Sequence, residues 1–212
     1  VSPQNGSILW VGEIGTRKEI FAQSINKASD RHRKKFVAVN WAAVPEPLIE
    51  RVFYGTSKGA FTGSVEKAGL LEEASGGTLF LDELNSMSLS MQSKLLRVIQ
   101  EGSFRRVGGS RDIQCDIRFI SSCNDDPTVL LARHSLRKDL YYRLSTVTID
   151  IPPLRRRMDD TSELVHFYLG KRMGDYAKFI GGIPQEAWAC FGRFDWPGHL
   201  REISNVLDSA LI

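Results

Sequence analysis

The segment Gly12–Glu19 has the residue types of a phosphate-binding loop. It joins a short apolar run, Ser7–Val11, to an amphipathic stretch, and its residues are Gly12, Glu13, Ile14, Gly15, Thr16, Arg17, Lys18 and Glu19. Backbone N–H groups of such a turn and the positive end of the following helix attract phosphate, and the lysine would reach the outer phosphates. The pattern is imperfect, because Arg17 stands where glycine is usual and Glu19 stands where a hydroxyl residue is usual. Taken alone, the segment is equally compatible with a plain turn between strand and helix.

Two adjacent carboxylates, Asp82 and Glu83, follow the apolar run Thr78–Leu81. In open α/β sheets, ligands bind at the carboxyl ends of the strands, which suits a magnesium–nucleotide site. Asp82 would hold Mg²⁺ through water, and Glu83 would polarise the attacking water. The alternative is a solvated strand end without chemistry. The interpretation of the glycine-rich turn and that of the carboxylates support each other, because the two features occur in the order expected of a nucleotide site, on predicted strands of one sheet.

Short apolar runs alternate with amphipathic stretches and predict a parallel α/β sheet that would position these groups. Each run is bounded by polar or glycine residues, as expected for strands buried on both faces. The predicted strands are Ser7–Val11, Phe36–Asn40, Thr78–Leu81, Ile117–Ser122 and Thr146–Ile151. Helices are predicted over Lys18–Ala28 and Ser90–Glu101, where apolar residues recur at helical spacing.

The pattern changes after Ile151, where Pro152 and Pro153 end the last predicted strand. Only helices are predicted beyond this point, over Asp160–Arg172, Gln185–Phe191 and His199–Ile212. We therefore expect a nucleotide-binding αβα subdomain over residues 1–152 and a small α-helical subdomain over residues 153–212. The last helix has no capping residue at Ile212, so we expect it to belong to a longer chain.

The composition is that of an ordinary folded chain. Of 212 residues, 42% are hydrophobic and 25% are charged, which excludes a disordered protein. The net charge of +3, without a dense basic tract, is too small to predict direct nucleic-acid binding. Three cysteines without a CxxC pair argue against a disulfide framework and favour a reduced, cytoplasmic setting. The apolar runs are too short to cross a bilayer and no signal-peptide pattern opens the chain, so no membrane partner is expected.

A set of motifs gives the sequence a family resemblance. The hexapeptide Gly59-Ala60-Phe61-Thr62-Gly63-Ser64 resembles the GAFTGA loop of bacterial sigma-54-dependent transcriptional activators, a branch of the AAA+ ATPases. Further matches follow in family order at Gly76–Glu83, Leu95–Glu101, Arg106–Gly109, Arg137–Leu144 and Trp196–Glu202. The resemblance covers essentially the whole chain. It implies a P-loop AAA+ fold with a three-layer αβα core, a parallel five-stranded sheet and a C-terminal α-helical lid.

The resemblance also implies a nucleotide-binding role for several matching residues. ATP would be held by the Walker A residues Gly12, Glu13, Gly15, Thr16, Arg17, Lys18 and Glu19. Asp82 and Glu83 match the Walker B carboxylates, with Asp82 as the Mg²⁺ ligand through water. Arg201 matches the second sensor on the lid.

Four other residues match the family's catalytic positions. Asn40 matches the asparagine that gates the Walker B glutamate, and Asn124 matches the first sensor. Arg137 and Arg143 match the arginine fingers offered to a neighbouring subunit. Arginines supplied in trans act only in an assembly, so the resemblance implies a homo-oligomeric ring, a hexamer or a heptamer.

The resemblance implies an ATP-hydrolysing module that remodels the sigma-54 RNA polymerase holoenzyme. Residues Gly59, Ala60, Phe61, Thr62, Gly63 and Ser64 would contact sigma-54, and promoter or enhancer DNA would be bound mainly through a domain outside this chain. The alternative is a hydrolysis-defective AAA+ interaction module with a degenerate Walker A loop. Intact carboxylates, sensor and finger arginines favour the enzyme.

The sequence departs from the family pattern at four positions. Arg17 replaces a Walker A glycine, Ser64 replaces the last alanine of the loop motif, Arg156 replaces a glutamate, and His199 replaces an asparagine. In the family, residues ahead of the first strand also help to form the adenine pocket, and we expect them to be missing here. The missing pocket residues and Arg17 are both compatible with reduced nucleotide affinity and reduced ATPase activity, so the sequence does not decide between normal and reduced activity.

Overall fold

A computed structural model describes residues 6–60, 64–173 and 183–210. The chain divides into two compact units. The first comprises the residues up to Val11 together with Lys18–Asp150, and the second comprises Gly12–Arg17 together with the residues from Ile151 onward. The glycine-rich loop therefore groups with the C-terminal helices, whereas the sequence places it in the N-terminal subdomain. The expected subdomains, residues 1–152 and 153–212, stay a prediction.

The first unit is built on a parallel sheet. In chain order, the strands of the described residues are β1 (Ile8–Val11), β2 (Phe36–Asn40), β3 (Thr78–Asp82), β4 (Ser103–Phe104), β5 (Ile113–Gln114), β6 (Arg118–Cys123) and β7 (Val147–Asp150). Five of them form the parallel sheet in the order β2-β3-β6-β1-β7, and β4 pairs with β5 in a small antiparallel ribbon. The five predicted strands are confirmed, each to within one residue at either end. The expected fold class, an αβα core with a parallel five-stranded sheet, is confirmed as well.

Helices cover the sheet and close its core. The first unit contains α1 (Lys18–Lys27), α2 (Glu46–Tyr54), α3 (Leu70–Ala74), α4 (Leu89–Glu101), α5 (Pro127–Ala132) and α6 (Lys138–Leu144). Leu9, Leu79 and Leu81 of the central strands are fully buried, and they belong to one apolar cluster with Leu95 of α4 and Leu140 of α6. Apolar side chains on both faces of the strands explain why the sequence shows near-continuous apolar runs here.

The second unit contains helices and the glycine-rich loop. Its helices are α7 (Asp160–Met173), α8 (Gln185–Phe191) and α9 (His199–Ala210). They pack around a separate core of Leu154, Val165, Trp196, Ile203 and Leu207. The Trp196 indole N–H donates to the carbonyl of Phe191 at 2.9 Å, which ties the α8–α9 connection to the end of α8. Within the described ranges, no helix is long and apolar enough to cross a bilayer.

Candidate functional site

Three adjacent strands, β2, β3 and β6, bring their polar carboxyl ends together. Parallel register places Asn40 opposite Asp82. The Asn40 side-chain amide donates to Asp82 Oδ2 at 3.2 Å and to Glu83 Oε1 at 3.3 Å. Its oxygen accepts the N–H of Ala42 at 2.9 Å, which turns the amide nitrogen toward the carboxylates. The structure thus brings Asn40 together with the Asp82–Glu83 pair, which the sequence selects separately from it.

The Asp82–Glu83 pair is also held from β6. The hydroxyl of Ser122 donates to Asp82 Oδ1 and accepts the backbone N–H of Glu83 at 3.1 Å. Glu83 has a left-handed backbone, with φ of +58°. Ser122 is not among the residues that the sequence predicts for this site. A hydroxyl in a strand expected to be buried on both faces is a signal, but the neighbouring Ser121 shows the same signal, so the sequence does not single out either serine.

Lys18 and Asn124 form a second contact in the first unit. Lys18 is nearly buried at the start of α1, and its ammonium donates to Asn124 Oδ1 at 2.6 Å. The backbone N–H of Asn124 donates to Asn85 Oδ1 at 3.4 Å. Cys123, the last residue of β6, directly precedes Asn124, and burial raises the pKa of its thiol to about 12, which leaves it a neutral packing group. The predicted phosphate lysine and the predicted first sensor are therefore direct neighbours.

The glycine-rich loop of the second unit is a tight turn. The buried Thr16 donates its hydroxyl to the carbonyl of Glu13 at 2.8 Å. Gly15 has φ of +95°, and a Cβ atom there would lie 2.4 Å from the carbonyl oxygen of Gly198. Arg17 is exposed and has φ of +63°. The arginine therefore occupies the left-handed conformation that favours the glycine it replaces.

Glu13 joins this loop to the helical residues of the same unit. Arg155 donates to both carboxylate oxygens, at 2.6 and 3.0 Å, and His199 Nε2 lies 3.0 Å from Oε2. The backbone N–H of Leu154 donates to His199 Nδ1 at 3.2 Å, so the ring proton is assigned to Nε2. Hydrogen bonds from Arg155 and then His199 outweigh partial burial and hold the pKa of Glu13 at about 2. The departure at His199 thus supplies a buried donor to a loop carboxylate.

The predicted arginines and Glu19 lie at the surface. Arg137 precedes α6 and pairs with Asp139, with 40% of its side chain exposed. Arg143 on α6, Arg201 on α9 and Glu19 on α1 are exposed. Glu19 accepts the side-chain amide of Gln23 at 3.0 Å. These groups are available to a partner or a ligand, and they do not belong to the Asn40–Asp82–Glu83–Ser122 cluster.

The residues that flank the predicted sigma-54 loop form a hydrogen-bonded stem. Thr56 exchanges backbone hydrogen bonds with Lys67 at 2.8 and 3.0 Å, and the N–H of Ser57 donates to the carbonyl of Val107 at 3.1 Å. Gly59 has φ of +81°, and the hydroxyl of Ser64 donates to the carbonyl of Ser57 at 3.4 Å. Phe61, Thr62 and Gly63 lie outside the described residues.

An ion-pair cluster supports the same stem. Arg106 donates to both carboxylate oxygens of Glu72, at 2.6 and 2.8 Å, and also pairs with Glu66. The hydrogen bonds from Arg106 lower the pKa of the Glu72 carboxyl below its ordinary value.

Residues 1–150 match the family described as the Sigma-54 interaction domain. The chain belongs to this family. Curated relatives include the transcriptional activator RocR of Bacillus subtilis, 45% identical over 207 residues, and the regulatory protein LuxO of Vibrio cholerae, 44% identical over 207 residues. These alignments cover 98% and 97% of this chain but only 45% and 46% of the relatives. The chain thus spans just under half the length of the relatives it matches.

Solved structures of relatives share the fold. NtrX from Brucella abortus in complex with ATP superposes with a TM-score of 0.87 at 36% sequence identity, and its complex with ADP gives 0.88. The alignments cover 97% of this chain and 46% of each NtrX chain. A reconstruction of Hsp104 with ATPγS has the same fold, with a TM-score of 0.65 at 16% identity. The resemblance proposed from the sequence motifs is confirmed, and so is the P-loop AAA+ fold class.

The left-handed conformation of Arg17 predicts that glycine stabilises this position. A side chain in this conformation costs about 1–2 kcal/mol of folded-state stability. Glycine avoids that strain, but it loses more backbone entropy on folding, which cancels roughly half of the gain. We expect Arg17→Gly to raise the melting temperature by about 2–4 °C in a chain of this size. Arg17→Ala is the matched control, because it removes the guanidinium but keeps the Cβ atom. Equal melting temperatures for the two variants in thermal denaturation would contradict the role of backbone strain.

The Glu13 contacts predict a pH-dependent stability. The pKa of Glu13 lies at about 2 in the folded chain against an ordinary value of 4.5, so its stabilisation is full above about pH 4.5 and falls as the pH drops toward 2. We expect Glu13→Gln to melt below the parent at pH 6 and to approach it by pH 3. The difference will be small, because 45% of the Glu13 side chain is exposed. The exposed Glu19→Gln is the control in the same melting series, and parallel curves for parent and Glu13→Gln would refute the assignment.

Proposed function

We propose that this domain binds ATP with Mg²⁺ and hydrolyses ATP. The observation that carries the proposal is the convergence of Asp82 and Glu83 with Asn40 at the carboxyl edge of the parallel sheet. This edge is where open α/β sheets bind their ligands. The Lys18–Asn124 hydrogen bond supports the proposal, because it places a cation that could bind phosphate next to an amide that could respond to it.

The residues at this edge fit a magnesium ion. The hydrogen-bond partners of Asp82, the Asn40 amide and the Ser122 hydroxyl, are neutral, so they leave its negative charge for a cation. The described residues contain no group of three or more His, Cys, Asp or Glu side chains that could hold a metal without help. This fits Mg²⁺, which proteins commonly hold with one or two carboxylates, phosphate oxygens and water. When bound, Mg²⁺ would neutralise charge on the transferring phosphoryl group.

Each protein group has a specific role in the proposed reaction. Lys18 supplies a positive charge to the phosphates, and Asn124 changes its hydrogen bond when the lysine turns to them. Glu83 orients and polarises the attacking water. Asn40 holds Glu83 Oε1 in this structure, so release of that hydrogen bond frees the carboxylate for the water. Asn40 therefore acts as a gate on Glu83.

We infer that hydrolysis requires a homo-oligomeric ring, a hexamer or a heptamer. Arg143 is exposed and Arg137 is partly exposed, which suits arginines that reach the nucleotide of a neighbouring subunit. A positive charge supplied in trans stabilises the negative charge that spreads over the transferring phosphoryl group. Arg201, which lies on α9 of the second unit, would respond to whether ATP or ADP is bound.

The alternative, a hydrolysis-defective interaction module, is less well supported. Its main argument is the loss of a Walker A glycine at Arg17, but Arg17 keeps a left-handed backbone. The loop conformation that glycine favours is therefore available to this sequence. The ordered arrangement of Asn40, Asp82 and Glu83 also argues for retained hydrolysis.

We further propose that the domain uses ATP hydrolysis to remodel sigma-54 RNA polymerase through residues 59–64. The paired stem at Thr56, Lys67 and Val107 supports this proposal, because it gives a contact loop a fixed base. A net charge of +3 gives this chain no strong basis for binding DNA itself, so we assign the binding of promoter or enhancer DNA mainly to another domain. The three cysteine thiols, Cys115, Cys123 and Cys190, are free, which suits a reducing cytoplasm.

The ring proposal predicts that specific ATPase activity rises with protein concentration. Arg143→Ala should lower turnover by about 10³-fold, as the loss of an arginine finger does, while ATP still binds. Turnover and nucleotide binding are measured across a dilution series that spans assembly. Arg133→Ala, which removes another exposed arginine, is the control. Full turnover in a dilute, monomeric sample would overturn the proposal.

The sigma-54 proposal predicts that Thr62→Ala separates hydrolysis from partner binding. ATP turnover should stay near the parent value, whereas retention of sigma-54 in a pull-down should be lost when a transition-state analogue is trapped in the site. Lys58→Ala, an exposed change just before the motif, is the control. Equal retention of sigma-54 by Thr62→Ala and the parent would remove the loop from the mechanism.

A further inference from the structure

Ser122 connects the two carboxylate residues to the strand beside them. It lies on β6, opposite Trp10 of β1, and is fully buried. Its Oγ atom is 2.5 Å from Asp82 Oδ1 and 3.1 Å from the backbone nitrogen of Glu83. One side chain thus contacts the metal-binding residue and the residue assigned to the attacking water.

The two contacts require a hydroxyl group. Asp82 is an acceptor when ionised, so Ser122 must donate to it, and the Glu83 N–H is a donor, so Ser122 must accept from it. A hydroxyl does both at once, whereas alanine does neither. The serine is therefore a tether between β6 and the end of β3, and its chemistry fits both partners.

The tether acts where the local geometry needs support. Asp82 receives hydrogen bonds on both oxygens, from Ser122 on one side and from Asn40 on the other, which fixes the plane of its carboxylate. Glu83 has a left-handed backbone, which a non-glycine residue keeps only when its surroundings hold it there. The Ser122 hydroxyl holds the N–H of this residue.

We propose that Ser122 is a positioning residue for the ATPase site, fixing the Asp82 carboxylate and the Glu83 backbone in the orientation that Mg²⁺ and the attacking water require. This inference rests on the proposed ATPase function. Ser122 acts through Asp82 and Glu83 and does not itself touch the reacting atoms. Residues that orient metal-binding groups in this way typically change metal affinity or activity by about 10–100-fold when mutated.

The kinetic test compares Ser122→Ala with Ser121→Ala. Ser121 directly precedes Ser122 on β6 and is equally buried. Within the described structure, its hydroxyl has no hydrogen-bond partner. Ser122→Ala should lower kcat by about tenfold and raise the Mg²⁺ concentration needed for half-maximal activity, whereas Ser121→Ala should change neither. ATP binding measured without Mg²⁺ should be the same in both variants. Equal kcat and equal Mg²⁺ requirement in the two variants would overturn the proposal.

A second measurement does not depend on activity. In Ser122→Ala, hydrogen exchange at the Glu83 amide should accelerate by about tenfold or more relative to Ser121→Ala, because this N–H loses its acceptor. Unchanged exchange at Glu83 would overturn the tether whatever the turnover. Accelerated exchange in a chain that shows no ATP turnover in any variant would uphold the tether and refute the ATPase proposal instead.

Discussion

The site depends on how two adjacent carboxylates are held at one edge of a buried sheet. Like charges at neighbouring positions repel, and partial burial strengthens the repulsion. Here Asn40 and Ser122, from the strands on either side of β3, give Asp82 and Glu83 hydrogen bonds without neutralising their charge. The edge consequently keeps a local negative potential, and the parallel register of β2, β3 and β6 makes the arrangement possible.

The sequence predicts the strands because each is a short run rich in apolar residues. The central β1 and β3 are almost wholly buried, whereas the edge strand β7 alternates between half-buried and exposed residues. It misses α2, α3, α5 and α6, which have nine, five, six and seven residues, because so few residues give only a weak helical period. The equally short α8 is predicted nonetheless, in the part of the sequence where no strand pattern competes with a helix. Asn40, Asp82 and Glu83 come from motifs at predicted strand ends. Ser122 does not, because only the packed structure shows which of two buried serines meets a polar partner. Motifs report the reacting groups but not the groups that orient them.

Contacts between distant parts of the chain are also beyond sequence reasoning. Glu13 contacts Arg155, 142 residues away in the sequence, and His199, 186 residues away, and no local pattern connects them.

The backbone conformation of Arg17 is also not predictable from the sequence. The sequence shows that glycine is missing, but only the structure shows that the left-handed conformation is retained. A departure from a motif can therefore leave the backbone path unchanged and appear instead as a cost in stability.

The Lys18–Asn124 hydrogen bond has an entropic consequence. A free lysine side chain samples many rotamers, and ordering it costs up to about 2 kcal/mol. Lys18 is buried and its ammonium is hydrogen-bonded to Asn124 at 2.6 Å, so its side chain is already ordered in the folded protein before any ligand binds. If Lys18 binds phosphate as proposed, the phosphate would replace one oxygen partner of the ammonium by another and would not have to immobilise a mobile side chain. In the proposed site, the affinity of Lys18 for phosphate would then depend mainly on competition between the Asn124 amide oxygen and a phosphate oxygen for the same ammonium protons.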